Sequence, residues 1–210
     1  MYKFIKRVTD ILISLILIIL LLPIFLLIII AIKLDSKGPV LFTQKRVGIH
    51  KTYFEIYKFR TMRVDTPHDA PTHTLENPEM YITKVGNFLR KTSLDELPQF
   101  INIIKGDMSF VGPRPALWNQ DDLVELRDKY GANDILPGLT GWAQINGRDA
   151  ISLEIKAEYD GYYTKNLGVI MDLKCLALTV PSVIKRRGVV EGVYEEKSNN
   201  ENENKEVTTV

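Results

Sequence analysis

Apolar and polar positions divide this chain into three regimes. The first is an unbroken apolar run from Ile11 to Ile32, ILISLILIILLLPIFLLIIIAI, without a charged residue. As a helix it would extend roughly 33 Å at about 1.5 Å per residue, enough for a hydrocarbon core of ~30 Å. It is too long for the apolar part of a signal peptide, and no small-x-small cleavage site follows it. A buried soluble helix would not be apolar on every face over this length, so the run predicts membrane association. Lys3, Lys6 and Arg7 flank it on one side; Lys33, Lys37, Lys45 and Arg46 flank it on the other. The positive-inside rule would keep both groups on the cytoplasmic face, which a straight span cannot do. Pro23, near the middle, lacks a backbone donor and crowds the preceding turn. A helix-break-helix returning to the face it entered, with Lys6, Arg7 and Lys33 at the headgroups, satisfies both flanks. An ordinary span with a tolerated proline is the competing reading, and charge alone divides the two about evenly.

The second regime mixes periods. Gly38-Pro39 is a turn. Val40–Val47 and Tyr53–Arg60 are rich in β-branched and aromatic residues, with Gly48–Lys51 between them, which reads as a hairpin. Val64–Tyr81 has several prolines and no period, the mark of a long loop. His68 and His73 lack the spacing of a helical metal pair, and with His50 they read as surface histidines. Lys84–Ile104 is helical in pieces, and Gly106–Pro115 is a loop punctuated by Gly and Pro. Asp121–Tyr130 is a polar helix stopped by Gly131, and Leu136–Arg148 is a second Gly-rich loop. Ile151–Lys165 predicts a helix with Ile151, Ile155, Tyr159 and Tyr162 on one stripe. Met171–Arg187 carries Leu173, Leu176, Val180, Val183 and Ile184 at helical spacing and stops at Gly188 after three basic residues. That stripe suits a helix in a membrane interface, and core packing at least as well. The third regime is a tail, rich in Asn, Glu and Lys from Glu195 onward, with the composition of disorder.

Composition changes this picture in two places. Among 210 residues, 27 basic and 26 acidic side chains give a net charge of +1, so no nucleic-acid partner is expected. Cys175, the one cysteine, lies in an apolar run and reads as a small buried hydrophobe.

The densest chemistry is Ser93-Leu94-Asp95-Glu96-Leu97-Pro98-Gln99. Ser93 and Glu96 match a capping box; alternatively Asp95 is the N-cap and Pro98 falls in the first turn. Either reading puts Asp95 and Glu96 at a helix N-terminus, where free N–H groups favour anions. Arg90 and Lys91 lie upstream; Lys105, Gly112-Pro113-Arg114-Pro115 and Gly147-Arg148 follow. Arginines on Pro/Gly loops suit bidentate phosphate binding. Of two adjacent carboxylates, one can attack phosphorus while the other ligates a hard cation such as Mg²⁺. A membrane-anchored scaffold, with caps and lipid-binding arginines, is one alternative. A lipid-diphosphate hydrolase is another, but the motifs offer no histidine base.

Phe42-x-Gln44-x-Arg46-x-Gly48, Lys58-Phe59-Arg60-Thr61-Met62 and Leu89-Arg90-x-x-Ser93-Leu94-Asp95-Glu96-Leu97-Pro98-Gln99 closely resemble the bacterial sugar transferases, the monotopic phosphoglycosyl transferases. So do Gly106-Asp107-Met108-Ser109-x-Val111-Gly112-Pro113-Arg114-Pro115 and Pro137-Gly138-x-Thr140-Gly141-Trp142-Ala143-Gln144-x-Asn146-Gly147-Arg148. The resemblance runs from about Lys6 to Arg187 and is far more specific than a short motif. It implies that a UDP-sugar donates sugar 1-phosphate to undecaprenyl phosphate, releasing UMP, as the first membrane step of capsule, exopolysaccharide or O-antigen assembly. It implies Asp95 as nucleophile, Glu96 as the Mg²⁺ ligand, and Arg90, Arg114 and Arg148 on phosphate. Asp172 matches a further family acid, and Asp160 is a weaker candidate. The family's re-entrant helix usually breaks at Ser-Pro; here the pair is Leu22-Pro23. The fold implied is α+β and mainly helical, with a re-entrant membrane helix, a small β-hairpin and interfacial amphipathic helices around the active site. The expected division is an anchor over 1–37, a catalytic domain over 38–190 and a disordered tail over 191–210. The resemblance implies the small form of the family, without a multi-span N-terminal region. It places the chain monotopically on the cytoplasmic face of the bacterial inner membrane, beside membrane lipid and downstream glycosyltransferases.

Overall fold

The structure is a computed structural model that describes residues 1–66, 78–147 and 150–185. Arg148, His68, His73, the Gly188 stop and the expected tail lie outside the described residues. The architecture is α+β and mainly helical, with two small two-stranded sheets.

Helices α1 (Tyr2–Leu20) and α2 (Leu22–Asp35) meet at Leu21 with a 63° bend. Pro23 is the second residue of α2, in the first turn, where a missing N–H breaks no intrahelical bond. In a continuous helix that N–H would bond Ile19, so proline favours the break at this place. No single described helix is long and apolar enough to cross a membrane; the bent pair passes that test only together. Phe4, Leu12, Ile16, Ile19, Leu27 and Ile30 are exposed on the pair.

The pair is bonded to the rest of the chain by groups expected elsewhere. Lys6 Nζ reaches Asp172 Oδ2 at 2.5 Å, and Arg7 donates to the carbonyls of Ile103 (2.5 Å) and Ile104 (2.9 Å). Both side chains, expected at the headgroups, are bonded to protein groups in this structure. Lys33 donates to the Gly38 carbonyl. Buried Arg60 donates to the carbonyls of Lys37 (2.6 Å) and Ser36 (2.8 Å), just past the end of α2.

Strands β1 (Leu41–Val47) and β2 (Tyr53–Phe59) form the expected antiparallel hairpin, with Gln44 opposite Ile56 and Phe42 opposite Lys58. Asn102 on α4 (Gln99–Lys105) bonds the backbone of β2: its Oδ1 accepts from Tyr57 N–H and its Nδ2 donates to the Glu55 carbonyl. Helix α3 (Lys84–Thr92) precedes α4. The two Gly-rich segments expected as loops contain a short parallel pair, β3 (Ser109–Val111) and β4 (Gly138–Thr140). They approach so closely that a Cβ on Gly138 or Gly141 would collide with the backbone of Gly112. Three-residue strands among glycines have no period-2 signal, which is why the pattern missed them.

Helices α5 (Asp121–Asp128), α6 (Trp142–Ile145), α7 (Leu153–Lys165) and α8 (Val169–Lys185) complete the fold. On α7 the apolar stripe is not the inner face. Ile155 and Tyr162 are exposed, whereas Ala157, Asp160, Gly161 and Tyr163 are buried. On α8, Met171, Asp172 and Cys175 point inward while Leu173, Leu176 and Val180 are exposed, so the stripe is not core. Cys175 is buried as expected, and burial pushes its thiol up to about 11.

Candidate functional site

The Asp-Glu motif does not cap a helix. Ser93 ends α3 in the left-handed region (φ 56°) and its side chain accepts no capping bond. Leu94–Glu96 form a single 3-10 turn, and α4 begins only at Gln99 with Pro98 as its N-cap residue. Both capping readings are corrected. Two apolar residues of the motif supply the orientation instead. Leu94 and Leu97 pack against the cluster of Ile28, Ile32, Phe59 and Leu89. Leu97 also packs against the cluster of Ile56, Phe100, Ile103 and Met108, on which the bend residues Leu17, Ile18 and Leu21 pack as well. The acidic pair is thus carried on a turn fastened to the helical bend.

Each carboxylate is largely enclosed, with side-chain exposures of 13% for Asp95 and 14% for Glu96. Lys58 Nζ lies 2.8 Å from Glu96 Oε1 and 3.9 Å from Asp95 Oδ2. Arg114 NH2 reaches the same Glu96 oxygen at 3.0 Å. Burial raises the Asp95 pKa above the ordinary carboxylate value; Lys58, Arg90 and Arg114 oppose the rise and Glu96 adds to it. Burial likewise lowers the Lys58 pKa, against the pull of Glu96 and Asp95.

A cavity of about 220 Å³ opens beside this cluster. Glu96, Arg114 and Ser93 stand on its wall, and Phe100, Phe110 and Leu176 make much of the remainder apolar. Gln144 also lines it, with a buried Oε1 that has no hydrogen-bond partner.

The loop carrying Arg114 is braced at nearly every carbonyl. Val111 O accepts from Tyr163 OH (3.0 Å), Pro113 O from Gly138 N–H (2.8 Å) and Arg114 O from Arg127 (3.0 Å). Pro115 O accepts from Arg46 (3.1 Å), and Ala116 O from Val47 N–H (2.9 Å). This bracing explains the two remaining acids. Asp160 is buried and takes two bonds from Arg127, at 2.8 and 2.6 Å, so it orients the group that holds Arg114. Asp172 accepts from Tyr163 (2.6 Å), Tyr2 (2.5 Å) and Lys6, joining α1 to α8 and to the strand before the loop. Neither lines the cavity.

The structure therefore gathers Asp95, Glu96, Arg90 and Arg114, and sets Asp160 and Asp172 behind them. Two further cations carried no site role in the sequence reading: Lys58, and Arg46 on the adjacent strand, which was counted only in the basic flank of the apolar run. Their signal was a broken alternation. Phe42, Gln44 and Arg46 face the same side as Phe54, Ile56 and Lys58, the half-buried face of the hairpin. A basic residue at an inward-facing strand position requires a partner.

An acidic turn beside Lys58 and the loop-held Arg114 is an arrangement of charges suited to anionic ligands. The model of the bacterial sugar transferase family matches residues 1–186, and the chain belongs to that family. It is 45% identical over 159 residues to the sugar transferase EpsL of Bacillus subtilis (strain 168), covering 75% of this chain and 76% of that one. It is 41% identical over 185 residues to the UDP-glucose:undecaprenyl-phosphate glucose-1-phosphate transferase of Escherichia coli (strain K12), covering 85% of this chain and 40% of that one. It is 40% identical over 191 residues to the UDP-N-acetylgalactosamine-undecaprenyl-phosphate N-acetylgalactosaminephosphotransferase of Aeromonas hydrophila, covering 87% and 44%. The chain thus spans less than half the length of the last two. Those two bear different sugars in their names at nearly equal identity, so overall similarity does not select the sugar.

Proposed function

We propose that this protein transfers a sugar 1-phosphate from a UDP-sugar to undecaprenyl phosphate through an aspartyl-phosphosugar on Asp95. The observation that carries the reading is an enclosed Asp-Glu turn between Lys58 and Arg114 on the rim of a largely apolar cavity. An Asp95 carboxylate oxygen attacks the sugar-bearing β-phosphorus, the bond to the bridging oxygen breaks, and UMP leaves. A phosphate oxygen of the acceptor lipid then attacks the same phosphorus and displaces Asp95. Splitting the reaction keeps two anionic substrates from meeting directly. Lys58 and Arg114 hold Glu96 in place, and Arg90, Arg114 and Arg148 bind phosphate oxygens. The apolar wall of Phe100, Phe110 and Leu176 suits the prenyl chain of the acceptor.

Among the described residues no group of three or more His, Cys, Asp or Glu is placed to hold a metal. The donor set nonetheless fits Mg²⁺, which takes one or two carboxylates and completes its shell with phosphate oxygens and water. Glu96, beside Asp95, would hold it, and when bound it supplies charge stabilisation to the phosphates. Residues 1–37 form a re-entrant anchor from the cytoplasmic face of the inner membrane, and 38–190 form the catalytic domain. Exposed Leu173, Leu176 and Val180 support a position of α8 in the same interface. The product enters exopolysaccharide or related surface-glycan assembly.

The test is incubation of the detergent-solubilised protein with a panel of UDP-sugars and Mg²⁺. Without acceptor, a protein mass increase of one phosphosugar and one equivalent of UMP are expected; with undecaprenyl phosphate, continued UMP release. Release that strictly requires acceptor, with no adduct, refutes the covalent step. For topology, cysteines placed at Lys3 and Lys37 are expected to label from the same side of the membrane. Labelling from opposite sides refutes the re-entrant anchor.

A further inference from the structure

Lys58 spans the acidic pair. Its ammonium nitrogen is 2.8 Å from Glu96 Oε1 and 3.9 Å from Asp95 Oδ2, so one positive group reaches both carboxylates. The side chain is largely enclosed, with 17% exposure, and salt and water screen the contact little. Its backbone is held as well. Lys58 pairs with Phe42 across the hairpin, the next residue, Phe59, is buried, and Asn102 bonds the Tyr57 N–H and the Glu55 carbonyl on the same strand. The strand therefore delivers the ammonium to one place.

Glu96 is also the residue proposed above to hold Mg²⁺, and two cations cannot share it freely. With metal–oxygen bonds of about 2.1 Å, a cation on Glu96 Oε1 lies within about 5 Å of the ammonium, and one on Oε2 within about 7 Å. In an enclosed site, charges at such separations repel far more strongly than in water. Arg114 NH2, 3.0 Å from the same Oε1, adds to the repulsion. Lys58 and the metal are neighbours whatever other groups meet Glu96 and Arg114, because the separation follows from one contact. A diphosphate relieves the repulsion, since its oxygens enter the metal's shell and bring negative charge.

We propose that Lys58 is the resident counter-cation of the Asp95–Glu96 pair and competes with the divalent cation for it. Before the donor binds, the ammonium compensates the two carboxylates and keeps metal affinity low. Metal occupancy then depends on the diphosphate, so the cation is retained together with the donor rather than ahead of it. The inference rests on the phosphotransferase reading with its cation on Glu96, and adds the residue that opposes that cation. Lys58 acts through Glu96 and is in this sense a positioning residue.

The test uses the full-length, detergent-solubilised protein without nucleotide. Mn²⁺ is the probe, its free and bound forms separated by electron paramagnetic resonance, and Mg²⁺ is titrated against it. Dissociation constants are measured for the parent, Lys58→Met, Lys58→Gln, Lys58→Arg and Glu96→Gln. Removing the charge of Lys58 is expected to tighten Mn²⁺ binding by about tenfold or more. Lys58→Arg keeps the charge and is expected to stay within about threefold of the parent. Lys58→Gln serves if the methionine variant fails to fold, as judged by its melting. Unchanged, weaker or undetectable binding in a folded neutral variant overturns the proposal and leaves Lys58 as a brace for Glu96. So does an arginine variant that binds as tightly as the neutral ones. If Glu96→Gln binds Mn²⁺ as well as the parent does, the cation is not on Glu96 and the competition falls with it. The phosphotransferase reading is judged apart from all of these, by formation of the phosphosugar adduct on the parent.

Discussion

Asp160 and Asp95 are both enclosed acids whose pKa is raised by burial, and the fold treats them in opposite ways. Among the described residues Asp160 is bonded by Arg127, which gives two bonds to a single oxygen, and Lys156 adds to the positive field on it. The pair does not line the cavity, and a further Arg127 N–H donates to the Arg114 carbonyl. Asp95 is acted on by several charges at once, Lys58, Glu96, Arg90 and Arg114 among the described residues, next to a cavity and on a short turn. A closed pair stabilises a shape, whereas a charged cluster beside a cavity is suited to a ligand. Here the closed pair supports the arginine of the cluster.

The largest expected effect comes from removing the Asp95 charge. Asp95→Asn should lower turnover by about a thousandfold or more and abolish the adduct. Its melting temperature should hold or rise. A folded pKa above the ordinary carboxylate value means that Asp95 contributes stability at low pH. That contribution disappears as pH rises from about 3.8 through the raised value, and asparagine removes the remaining penalty. For the same reason the acid limb of the pH–rate profile should lie above 3.8. A variant that turns over near the parent rate would return Asp95 to a structural role and erase the contrast with Asp160.

Glu96→Gln sharpens the comparison from within the cluster. It leaves Lys58 and Arg114 facing a neutral amide, so UDP should bind at least as well while turnover falls by about a hundredfold or more. EDTA should abolish parent turnover and Mg²⁺ should restore it; full activity in EDTA would remove Glu96 from cation binding.

Asp160→Asn tests the closed pair. It leaves Arg127 buried without a carboxylate, at a cost of about 3–5 kcal/mol. At about 2–4 °C per kcal/mol, a pronounced drop in melting temperature is expected. An unchanged melting temperature would show that the pair does not brace the loop. The smallest effect belongs to Asp172→Asn. The one amide oxygen can replace Oδ1 and keep the Tyr163 bond, while the NH2 in place of Oδ2 cannot accept from Tyr2 or Lys6, so the tie to α1 is lost at about 1–3 kcal/mol. Proteolysis within α1 should become faster; equal rates would refute its role in fastening α1 to α8.

The apolar run, the proline near its centre, the hairpin and the acidic motif were all legible because each is local. A 22-residue stretch without charge, or a period of two, needs no knowledge of distant residues. The expected α7 stripe failed because periodicity reports which side is apolar, not which side is covered. The face with Ala157, Gly161 and Tyr163 is inner because Gly161 lets Tyr130 approach closely. The capping readings failed for a similar reason: Ser93 and Glu96 have the right spacing, but Ser93 is the left-handed end of the preceding helix.

By itself, the sequence determined the apolar run with its central proline, the hairpin, most of the helices, and the family motifs that contain Asp95, Glu96 and Arg114. Local composition and short-range backbone preferences suffice for those. Only the tertiary structure decided that Lys6 and Arg7 turn inward, that Asp160 and Asp172 stand behind the arginine loop, and that Lys58 and Arg46 join the site. Those facts depend on which charges meet across long sequence separations, such as Lys6 with Asp172 and Arg46 with Pro115. Burial then makes each meeting count, because an enclosed charge must find its partner in the fold rather than in water.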